Sequence, residues 1–328
     1  MSRIKSKLKI NTIILKPILS NEEIKNKEGH YFSEDYYTKH NKIVNTNTDV
    51  YGIETDGSKK LLFKFRKNVI PDTICSNAYH ALEKHAKHKN SNRGAAAGKV
   101  SLSKLPKHVS HITKADKFRV FYKTKDGKIS RDNVGNIAQS NIAGYYDRPD
   151  RNEYNTKYTK SKTLKKEIPM CRTTQFTKKK VEKWKQTIPL IKSADKLFKK
   201  LVPNRYKIQL KRAKKTPDYQ IDNTSYSTIT VNYNWRTAAH CDNGDLDEGF
   251  GNLIILEKAK SNLKHIRDKS YSGGYLGFPK WGICVDVRQG DFLAMDVHEY
   301  HSNTPIIGDG RLSVVCYLRK KMINCSKI

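Results

Sequence analysis

The sequence has no apolar run long enough to cross a bilayer, and no sustained apolar segment follows its basic first residues. The first absence argues against a transmembrane protein, and the second argues against a secretory signal peptide. The six cysteines include no CxxC pair or other zinc-like spacing, which predicts reduced thiols in an intracellular protein. We therefore expect an intracellular chain with no membrane partner.

Acidic residues are scarce in the first two thirds of the chain. The formal net charge is +32, of which residues 1–220 carry +31 and residues 221–328 carry +1. A lysine-rich composition by itself would affect both parts equally, so the asymmetry favours a polyanion-binding role for residues 1–220. Such a field attracts nucleic acid and gives salt-sensitive affinity that does not depend on base sequence.

Residues 221–328 contain a pattern typical of an iron-dependent oxygenase. His240 and Asp242 are separated by one residue, His301 follows a short apolar segment, and Arg311 comes ten positions later. Two histidines and one carboxylate occupy one face of an octahedral Fe(II) and leave the other face open. 2-Oxoglutarate and O2 would fill the open positions, and Arg311 would bind the far carboxylate through a planar charged fork.

Two alternatives stay open for this pattern. His298 lies near His301, but we prefer His301 as the second histidine ligand because it is separated from Arg311 by fewer residues. His298 would then be a supporting hydrogen-bond donor or a solvated loop residue. A histidine satisfied by other contacts beside an unrelated ion pair is the alternative for the whole set. The ordered succession of all four groups at predicted strand ends favours the metal site.

Short strands with glycine and proline turns predict a sandwich or jelly roll. The strands are expected at Asn232–Ala239, Gly249–Leu256, Tyr275–Val287, Asp291–Met295 and Arg311–Leu318, and farther upstream at Lys7–Pro17 and Lys59–Val69. Helical spacing is present over Asp72–Lys89, Pro189–Val202 and Asn204–Lys215, and Asn152–Lys185 is expected to contain a flexible loop.

Three N-terminal segments are further candidates for ligand contact. The basic helix Asn204–Lys215 is expected to follow phosphates, and Tyr145 and Tyr146, which lie among arginines in Asn141–Arg151, would either stack on an unpaired base or pack in the core. The Gly/Ala turn Ser91–Gly98 would either pack against the core or line the nucleic-acid groove, and Arg148 could reach phosphate or the cosubstrate.

Five stretches of the sequence resemble the TET/JBP family of 2-oxoglutarate- and Fe(II)-dependent dioxygenases, which oxidise the 5-methyl group of pyrimidines in nucleic acid. The likeness covers roughly residues 224–321. It rests on His240–Asp242, Tyr271–Pro279, Gly290–Leu293, His301–Pro305 and Arg311–Tyr317.

The resemblance implies roles for individual residues. It implies that His240, Asp242 and His301 bind iron and that Arg311 binds 2-oxoglutarate. Related enzymes often add a second basic group from an N-terminal segment to hold the cosubstrate, and Arg93 and Arg148 are the candidates for it. Tyr317 and Asp245 would lie near the target base. Arg319 stands where TET enzymes have a base-contacting histidine, which looks more like the thymine-hydroxylating branch, and no cysteine-rich zinc-binding region precedes the likeness.

Taken together, these observations predict an α+β protein with a double-stranded β-helix (jelly-roll, cupin-like) core and flanking helices. Residues 221–328 would form the catalytic core, and the basic residues 1–220 would bind nucleic acid and buttress it. The expected reaction is hydroxylation of the 5-methyl group of thymine or 5-methylcytosine in DNA, with the base flipped out of the duplex.

The predicted reaction needs Fe(II), 2-oxoglutarate and O2, with ascorbate as an optional reductant. The predicted partner is DNA, at an intracellular site such as the nucleus, the cytoplasm or a viral replication site, with no obligate protein partner. The alternatives are a hydroxylase of RNA or protein side chains, and a non-catalytic DNA-binding protein with an oxygenase-like core.

Overall fold

The computed structural model describes residues 9–40, 43–90, 93–100, 102, 111–132, 137–149, 170–258 and 271–325. Six α-helices lie in these ranges: α1 Asn21–Asn26, α2 Glu34–His40, α3 Asp72–Ala86, α4 Gln175–Lys179, α5 Val181–Leu201 and α6 Pro203–Ala213. The strands of the first 220 residues are β1 Asn11–Leu15, β2 Ile43–Val44, β3 Thr48–Ile53, β4 Lys59–Arg66, β5 Ile112–Ala115, β6 Val120–Lys123, β7 Ile129–Asp132, β8 Ser140–Tyr146 and β9 Arg172–Thr173. The later strands are β10 Thr228–Tyr233, β11 Gly251–Glu257, β12 Tyr271–Gly273, β13 Leu276–Phe278, β14 Ile283–Val285, β15 Phe292–Met295, β16 Ser302–Asn303, β17 Ile306–Gly308 and β18 Arg311–Tyr317.

Two facing sheets form the centre of the molecule. The major sheet has the strand order β1-β3-β4-β15-β11-β18-β10-β8-β9, and the minor sheet has the order β16-β13-β14-β2. Apolar side chains from the two sheets pack against each other, as when Phe63 of β4 stacks on Phe278 of β13 with ring centroids 5.2 Å apart. This architecture confirms the predicted α+β double-stranded β-helix.

Residue alternation along β18 decides which side chains reach the interior. Leu312, Val314 and Cys316 belong to the hydrophobic cluster on the outer, helix-covered face of the major sheet. Arg311 and Tyr317 occupy the alternate, odd-numbered positions of β18. They line a cavity on the inner face of the sheet. Because side chains alternate along a strand, the apolar positions of β18 determine the orientation of its polar ones.

Helices α3 and α5 cover the outer face of the major sheet. Leu82 of α3 and Ile191 and Phe198 of α5 are buried in the same cluster as Val231 of β10 and Val314 of β18. Burial of an aliphatic or aromatic side chain of this size stabilises a fold by about 1.5–3 kcal/mol. The helices thus stabilise the sheet from the side opposite the cavity.

The predicted strand Asn232–Ala239 is wrong in its position. Strand β10 covers Thr228–Tyr233 and is followed by Asn234, whose φ of 43° is left-handed. The Asn234 side chain accepts a hydrogen bond from the Arg311 backbone N–H at 2.8 Å, so the turn is fixed by its pairing with β18. His240 therefore follows an irregular segment and does not lie at the end of that strand.

Other predicted strands are confirmed with shifted ends. Strands β1 and β4 lie within the predicted Lys7–Pro17 and Lys59–Val69, although residues 7 and 8 lie outside the described ranges. Strands β11, β15 and β18 match the predictions at Gly249–Leu256, Asp291–Met295 and Arg311–Leu318. The predicted segment Tyr275–Val287 contains two short strands, β13 and β14.

The helical predictions differ from the structure at one important boundary. Helices α3 and α6 confirm the predictions at Asp72–Lys89 and Asn204–Lys215. Helix α5, however, begins eight residues before the predicted start at Pro189 and contains that proline in its interior. Apolar contacts with the sheet stabilise the helix and override the proline signal. Residues 170–185 of the segment predicted to contain a flexible loop include β9, α4 and the start of α5. Residues 152–169 lie outside the described ranges, so the loop stays a prediction.

The expectation of six reduced cysteines is also wrong in this structure. Cys171 and Cys325 form a disulfide across 154 positions of the chain, whereas the other four cysteines are free. Spacing in the sequence could not reveal this pair because the fold alone brings the two residues together. Within the described ranges, no helix combines the length and apolar character of a bilayer span.

Candidate active site

His240 and His301 lie side by side because their backbones pair. His240 N donates to His301 O at 3.1 Å, and His301 N donates to His240 O at 3.0 Å, which forms a short antiparallel bridge. The ring centroids are 4.4 Å apart. The bridge thus brings together two imidazoles that are separated by a long stretch of sequence.

Backbone carbonyls contact the Nδ1 atoms of both imidazoles and orient the rings. His240 Nδ1 lies 2.7 Å from Ala238 O, and His301 Nδ1 lies 2.9 Å from Glu299 O. Each contact favours a proton on Nδ1 and leaves the Nε2 lone pair available as a metal ligand. Burial, followed by the neighbouring His240, lowers the pKa of His301 to about 4, so this imidazole is neutral at physiological pH.

Asp242 completes a compact ligand set. Its carboxylate oxygens lie 3.8 Å from His240 Nε2 and 3.7 Å from His301 Nε2. One ligand atom from each of the three side chains falls within 4.8 Å of the others. His298 lies outside this set, since its Nδ1 is 3.4 Å from the Asp296 carboxylate.

Arg311 is a buried cation at the inner end of the same cavity. Only 2% of the residue is exposed, and its Nη2 donates to Gly274 O at 3.0 Å. Its Nε has no hydrogen-bond partner among the described residues. Gly274 has a φ of 70°, and a Cβ there would lie 2.9 Å from Arg311 Nε, so a glycine is needed beside the guanidinium.

A second polar group lies on the opposite wall of the cavity. Residues 244–246 pair with residues 318–320, since Leu246 N donates to Leu318 O at 2.9 Å and Lys320 N donates to Gly244 O at 3.1 Å. This pairing places Asp245 beside Arg319. Burial and then Asp242 raise the pKa of Asp245 well above its usual range.

Arg319 is held in place by two contacts on its other side. Its Nε lies 2.8 Å from Asp147 Oδ1, and its guanidinium carbon lies 4.7 Å from the centre of the Tyr146 ring. Burial by itself would lower the pKa of Arg319, but Tyr317 and Asp147 raise it above its ordinary value. Arg319 is therefore a fixed cation at the cavity wall.

Tyr317 and Arg93 lie between the two polar groups. The Tyr317 hydroxyl is 2.9 Å from Thr230 Oγ1, and burial raises its pKa to about 12. Arg93 donates from Nε and Nη2 to Ser140 O at 3.1 and 2.6 Å, and burial lowers its pKa. Tyr317 and Asp242 are among the groups that interact electrostatically with Arg93.

The two tyrosines of the Asn141–Arg151 segment differ in their environments. Tyr145 packs edge-to-face on Tyr219 with centroids 5.8 Å apart, which is the core-packing alternative. Tyr146 lies under the guanidinium of Arg319 and near that of Arg148. Arg148 is exposed and lines the cavity, whereas Arg151 lies outside the described residues.

The His240–Asp242–His301 set, Arg311 and the polar wall at Asp245 and Arg319 surround one cavity of about 490 Å³. It is lined by His240, Asp242, His301, Arg311, Asp245, Tyr317, Arg319, Arg93 and Arg148, together with others that the sequence reasoning missed, among them Thr230, Asn232, Trp235, Asn303 and Ser313. A signal for Ser313 was available, because it lies two positions from Arg311 on the same strand face. The fold was needed to place Thr230 and Asn232 on the neighbouring strand β10.

The residues of the cavity fit Fe(II) and 2-oxoglutarate. Two available imidazole nitrogens and a carboxylate in contact with both match a facial triad. A guanidinium that is stripped of water and retains an unpartnered Nε suits a carboxylate, since a charge-assisted pair would offset the cost of its burial.

Comparison with known proteins agrees with this chemistry. Residues 158–320, about half of the chain, match the Tet_JBP family, described as the oxygenase domain of the 2OGFeDO superfamily. Thymine dioxygenase JBP1 of Trypanosoma brucei brucei is 29% identical over 280 residues, which cover 81% of this chain and 29% of the relative. The bifunctional helicase and thymine dioxygenase JBP2 of Leishmania major is 32% identical over 205 residues, which cover 61% of this chain and 16% of the relative.

The chain thus spans less than a third of the length of either relative. Among solved structures, that of NgTET1 in complex with 5mC DNA aligns over 94% of both chains with a TM-score of 0.48 and 13% identity. The sequence matches confirm the predicted resemblance. Residues 158–320 of this chain belong to the TET/JBP family and form an oxygenase domain of the 2-oxoglutarate- and Fe(II)-dependent superfamily.

Proposed function

We propose that this protein is a dioxygenase that hydroxylates the 5-methyl group of thymine in DNA. The observation that carries the proposal is the shared cavity, which joins the His240–Asp242–His301 set and the buried Arg311 to a second polar wall at Asp245 and Arg319. The two curated relatives, both named as thymine dioxygenases, support the choice of reaction and base. Because the substrate is DNA, the proposed location is an intracellular site where DNA is present.

Three side chains would hold the metal. His240 and His301 would bind through Nε2, because their Nδ1 atoms contact the carbonyls of Ala238 and Glu299. Asp242 would supply the carboxylate. Bound Fe(II), with 2-oxoglutarate and O2, supplies the oxidising chemistry for replacing a C–H bond by C–OH, and ascorbate would serve as a reductant for the metal.

Two cations would hold the cosubstrate at its two ends. Arg311 would bind the distal carboxylate, since it lies at the buried end of the cavity and Nε lacks a partner in the described part of the chain. Arg93, which interacts with Asp242 from the metal side, would bind the other end. Both guanidiniums are fixed by backbone carbonyls, and this arrangement limits the entropy lost on binding.

The remaining wall would read the base. Arg319 only donates hydrogen bonds. The raised pKa of Asp245 favours its protonated form, which keeps a carbonyl oxygen that can accept a hydrogen bond. Thymine presents O4 as an acceptor next to N3–H as a donor, so its edge complements this pair. 5-Methylcytosine presents an amino group at the corresponding position, which Arg319 would oppose.

A base inside a duplex cannot reach this cavity, so the target nucleotide must leave the stack. The basic residues 1–220 would supply the backbone affinity that this extrusion requires, and helix α6 is a candidate surface for it. We retain residues 221–328 as the proposed catalytic core, with strands β3, β4 and β8 of the first 220 residues extending its major sheet.

Nucleoside mass spectrometry tests the proposal. The purified protein is incubated with Fe(II), 2-oxoglutarate, ascorbate and DNA containing thymine and 5-methylcytosine, with Asp242→Ala as the matched control. We expect 5-hydroxymethyluracil from thymine, in the wild type only. Succinate without any modified DNA base would instead favour RNA or protein as substrate, and absence of succinate with any of these polymers would contradict the enzyme assignment.

A further inference from the structure

Tyr146 is surrounded by three arginines at the edge of the cavity. The guanidinium carbons of Arg319, Arg172 and Arg148 lie 4.7, 5.4 and 5.6 Å from the centre of its ring. We call these four residues the arginine platform. The attraction between a cation and the negative face of an aromatic ring stabilises such an arrangement.

The platform is assembled from three separate parts of the chain. Tyr146 ends β8 and pairs with Arg172 of β9, and Arg148 follows Tyr146 by two positions. Arg319 follows β18 and is anchored by Asp147. The pairing of β8 with β9 and the ion pair hold three like charges close together, so the cluster is a property of the fold.

The platform carries an uncompensated positive charge. Three guanidiniums are balanced by one contacting carboxylate, Asp147, among the described residues. Arg172 Nε is buried and has no hydrogen-bond partner in the described part of the chain, and the Arg148 side chain is exposed to solvent. Mutual repulsion of these cations is reduced when an anion binds between them.

We infer that Arg148 and Arg172 of the arginine platform bind the DNA phosphodiester next to the target nucleotide, whereas Arg319 keeps the base contact assigned to it above; this assignment rests on the proposed function. Arg148 and Arg319 line the same cavity as His240 and His301. An extruded base enters that cavity while its phosphates stay at the edge. Guanidinium forks match phosphate oxygens in geometry and charge, whereas the Tyr146 ring already contacts cations and is less available for stacking on a base.

Direct binding measurements test this inference without any dependence on turnover. The probe is a fluorescent duplex whose labelled strand carries a single thymine, titrated with metal-free protein at several salt concentrations. We expect Arg172→Ala to weaken binding about 10-fold and to reduce the slope of log K against log salt by about 0.9. Arg148→Ala should have a similar effect. Because the Arg148 side chain is exposed, this second variant is expected to fold even if Arg172→Ala does not.

Lys196→Ala is the matched control. It also removes one exposed positive charge, but from helix α5, on the side of the major sheet opposite the cavity. We expect it to change affinity by less than about twofold, since it acts only through the general field. Equal losses for Arg172→Ala and Lys196→Ala would overturn the platform as a specific contact.

Substitution of single phosphodiesters by an uncharged analogue identifies which phosphate the protein contacts. Methylphosphonate is placed at each phosphate in turn around the thymine. Wild-type protein should lose about 10-fold in affinity at a phosphate adjacent to the thymine, and the double variant Arg148→Ala/Arg172→Ala should lose less than about twofold at that position. A double variant that is as sensitive as the wild type at every position would overturn the inference.

The outcomes separate this inference from the proposed function. If the platform variants lose their contact with one phosphate but the wild type oxidises no base, the platform stands as a nucleic-acid site and the proposed reaction fails. If base oxidation is detected but the variants bind DNA like the wild type, the reaction stands and the platform assignment fails.

Discussion

Arginine has different environments at the two ends of one cavity. At the inner end, Arg311 is 2% exposed and interacts with a glycine carbonyl. At the outer edge, Arg148 and Arg172 surround a tyrosine, and Arg148 is open to solvent. A guanidinium is therefore shielded from water in one place and clustered near solvent with other cations in the other.

The comparison shows how environment selects the kind of anion. A single buried guanidinium is screened little by salt and suits one small carboxylate that fits the available space. Clustered guanidiniums near water suit the repeated charges of a polymer, with affinity that falls as salt rises. Arg311 should therefore determine the cosubstrate, and the arginine platform should contribute to the affinity for DNA.

The largest expected effect is a loss of turnover without a loss of DNA binding. Asp242→Ala removes one of the three proposed metal ligands and should reduce turnover by at least about 1,000-fold, since two imidazoles alone would leave the proposed metal site incomplete. DNA affinity should stay within about twofold, because the platform is untouched. Succinate release and fluorescence polarisation measure the two properties, with the exposed Asp126→Ala as control.

Parallel loss of turnover and DNA binding in Asp242→Ala would contradict this division of roles. Thermal unfolding should accompany the assay, so that a global loss of structure is recognised. A normal melting temperature together with a joint loss would show that the metal ligands also shape the DNA surface.

Arg311→Ala should have the next largest effect, at the inner end. Loss of a buried charged hydrogen-bond partner should raise the KM for 2-oxoglutarate by about 100-fold. Arg311→Lys should give an intermediate KM, because it keeps the charge but loses the planar fork. The KM is measured from succinate formation at saturating DNA.

The salt dependence of the KM for 2-oxoglutarate provides a further test of Arg311. The KM for 2-oxoglutarate in the wild type should change little between low and moderate salt, because Arg311 is buried. A KM that rises with salt as steeply as the dissociation constant for DNA would argue that both ends of the cavity bind anions in the same way.

Arg319 is the platform residue that lies beside Asp245 in the cavity lining, and it should affect base choice. Arg319→Ala should lower the preference for thymine over 5-methylcytosine by about 10-fold, because it removes the donor that opposes the cytosine amino group. The preference is measured by competition on one duplex that contains both bases. An unchanged ratio with uniformly lower rates would indicate that Arg319 supports the platform and does not read the base.

The smallest expected effect concerns the Tyr146 ring. Tyr146→Ala removes the surface that organises three guanidiniums and should weaken DNA binding about fivefold, within the usual energy of exposed cation–π contacts. Tyr146→Phe keeps the ring and should bind within about twofold of the wild type. Equal losses in the two variants would assign the effect to the hydroxyl and would weaken the account of the platform.

Several parts of the fold were accessible from local patterns. Strands β11, β15 and β18 and helices α3 and α6 follow from alternation and helical spacing. The boundaries fail where tertiary contacts override local preference. Pro189 lies inside α5 because its flanking apolar residues are buried against the sheet, and β10 ends at Tyr233 because Asn234 turns to pair with Arg311.

Only the proposed metal ligands and the proposed cosubstrate arginine of the candidate site were predictable from the sequence. His240, Asp242, His301 and Arg311 stand out by residue type and order, and the structure gathers all four around one cavity. Asp147 and Arg172 had no such signal. Their importance depends on the pairing of β8 with β9 and on the approach of the chain after β18, neither of which leaves a periodic trace in sequence.

Residue type and order alone supply the proposed metal-ligand types, the proposed cation for a dicarboxylate, and the concentration of positive charge before residue 220. Which of these groups meet depends on the packed fold. The backbone bridge aligned His240 with His301, the turn at Gly274 left room for Arg311, and the union of three chain segments created the arginine platform. Residue type is a local property of the chain, whereas burial and contact between distant residues arise only when the sheets and helices pack.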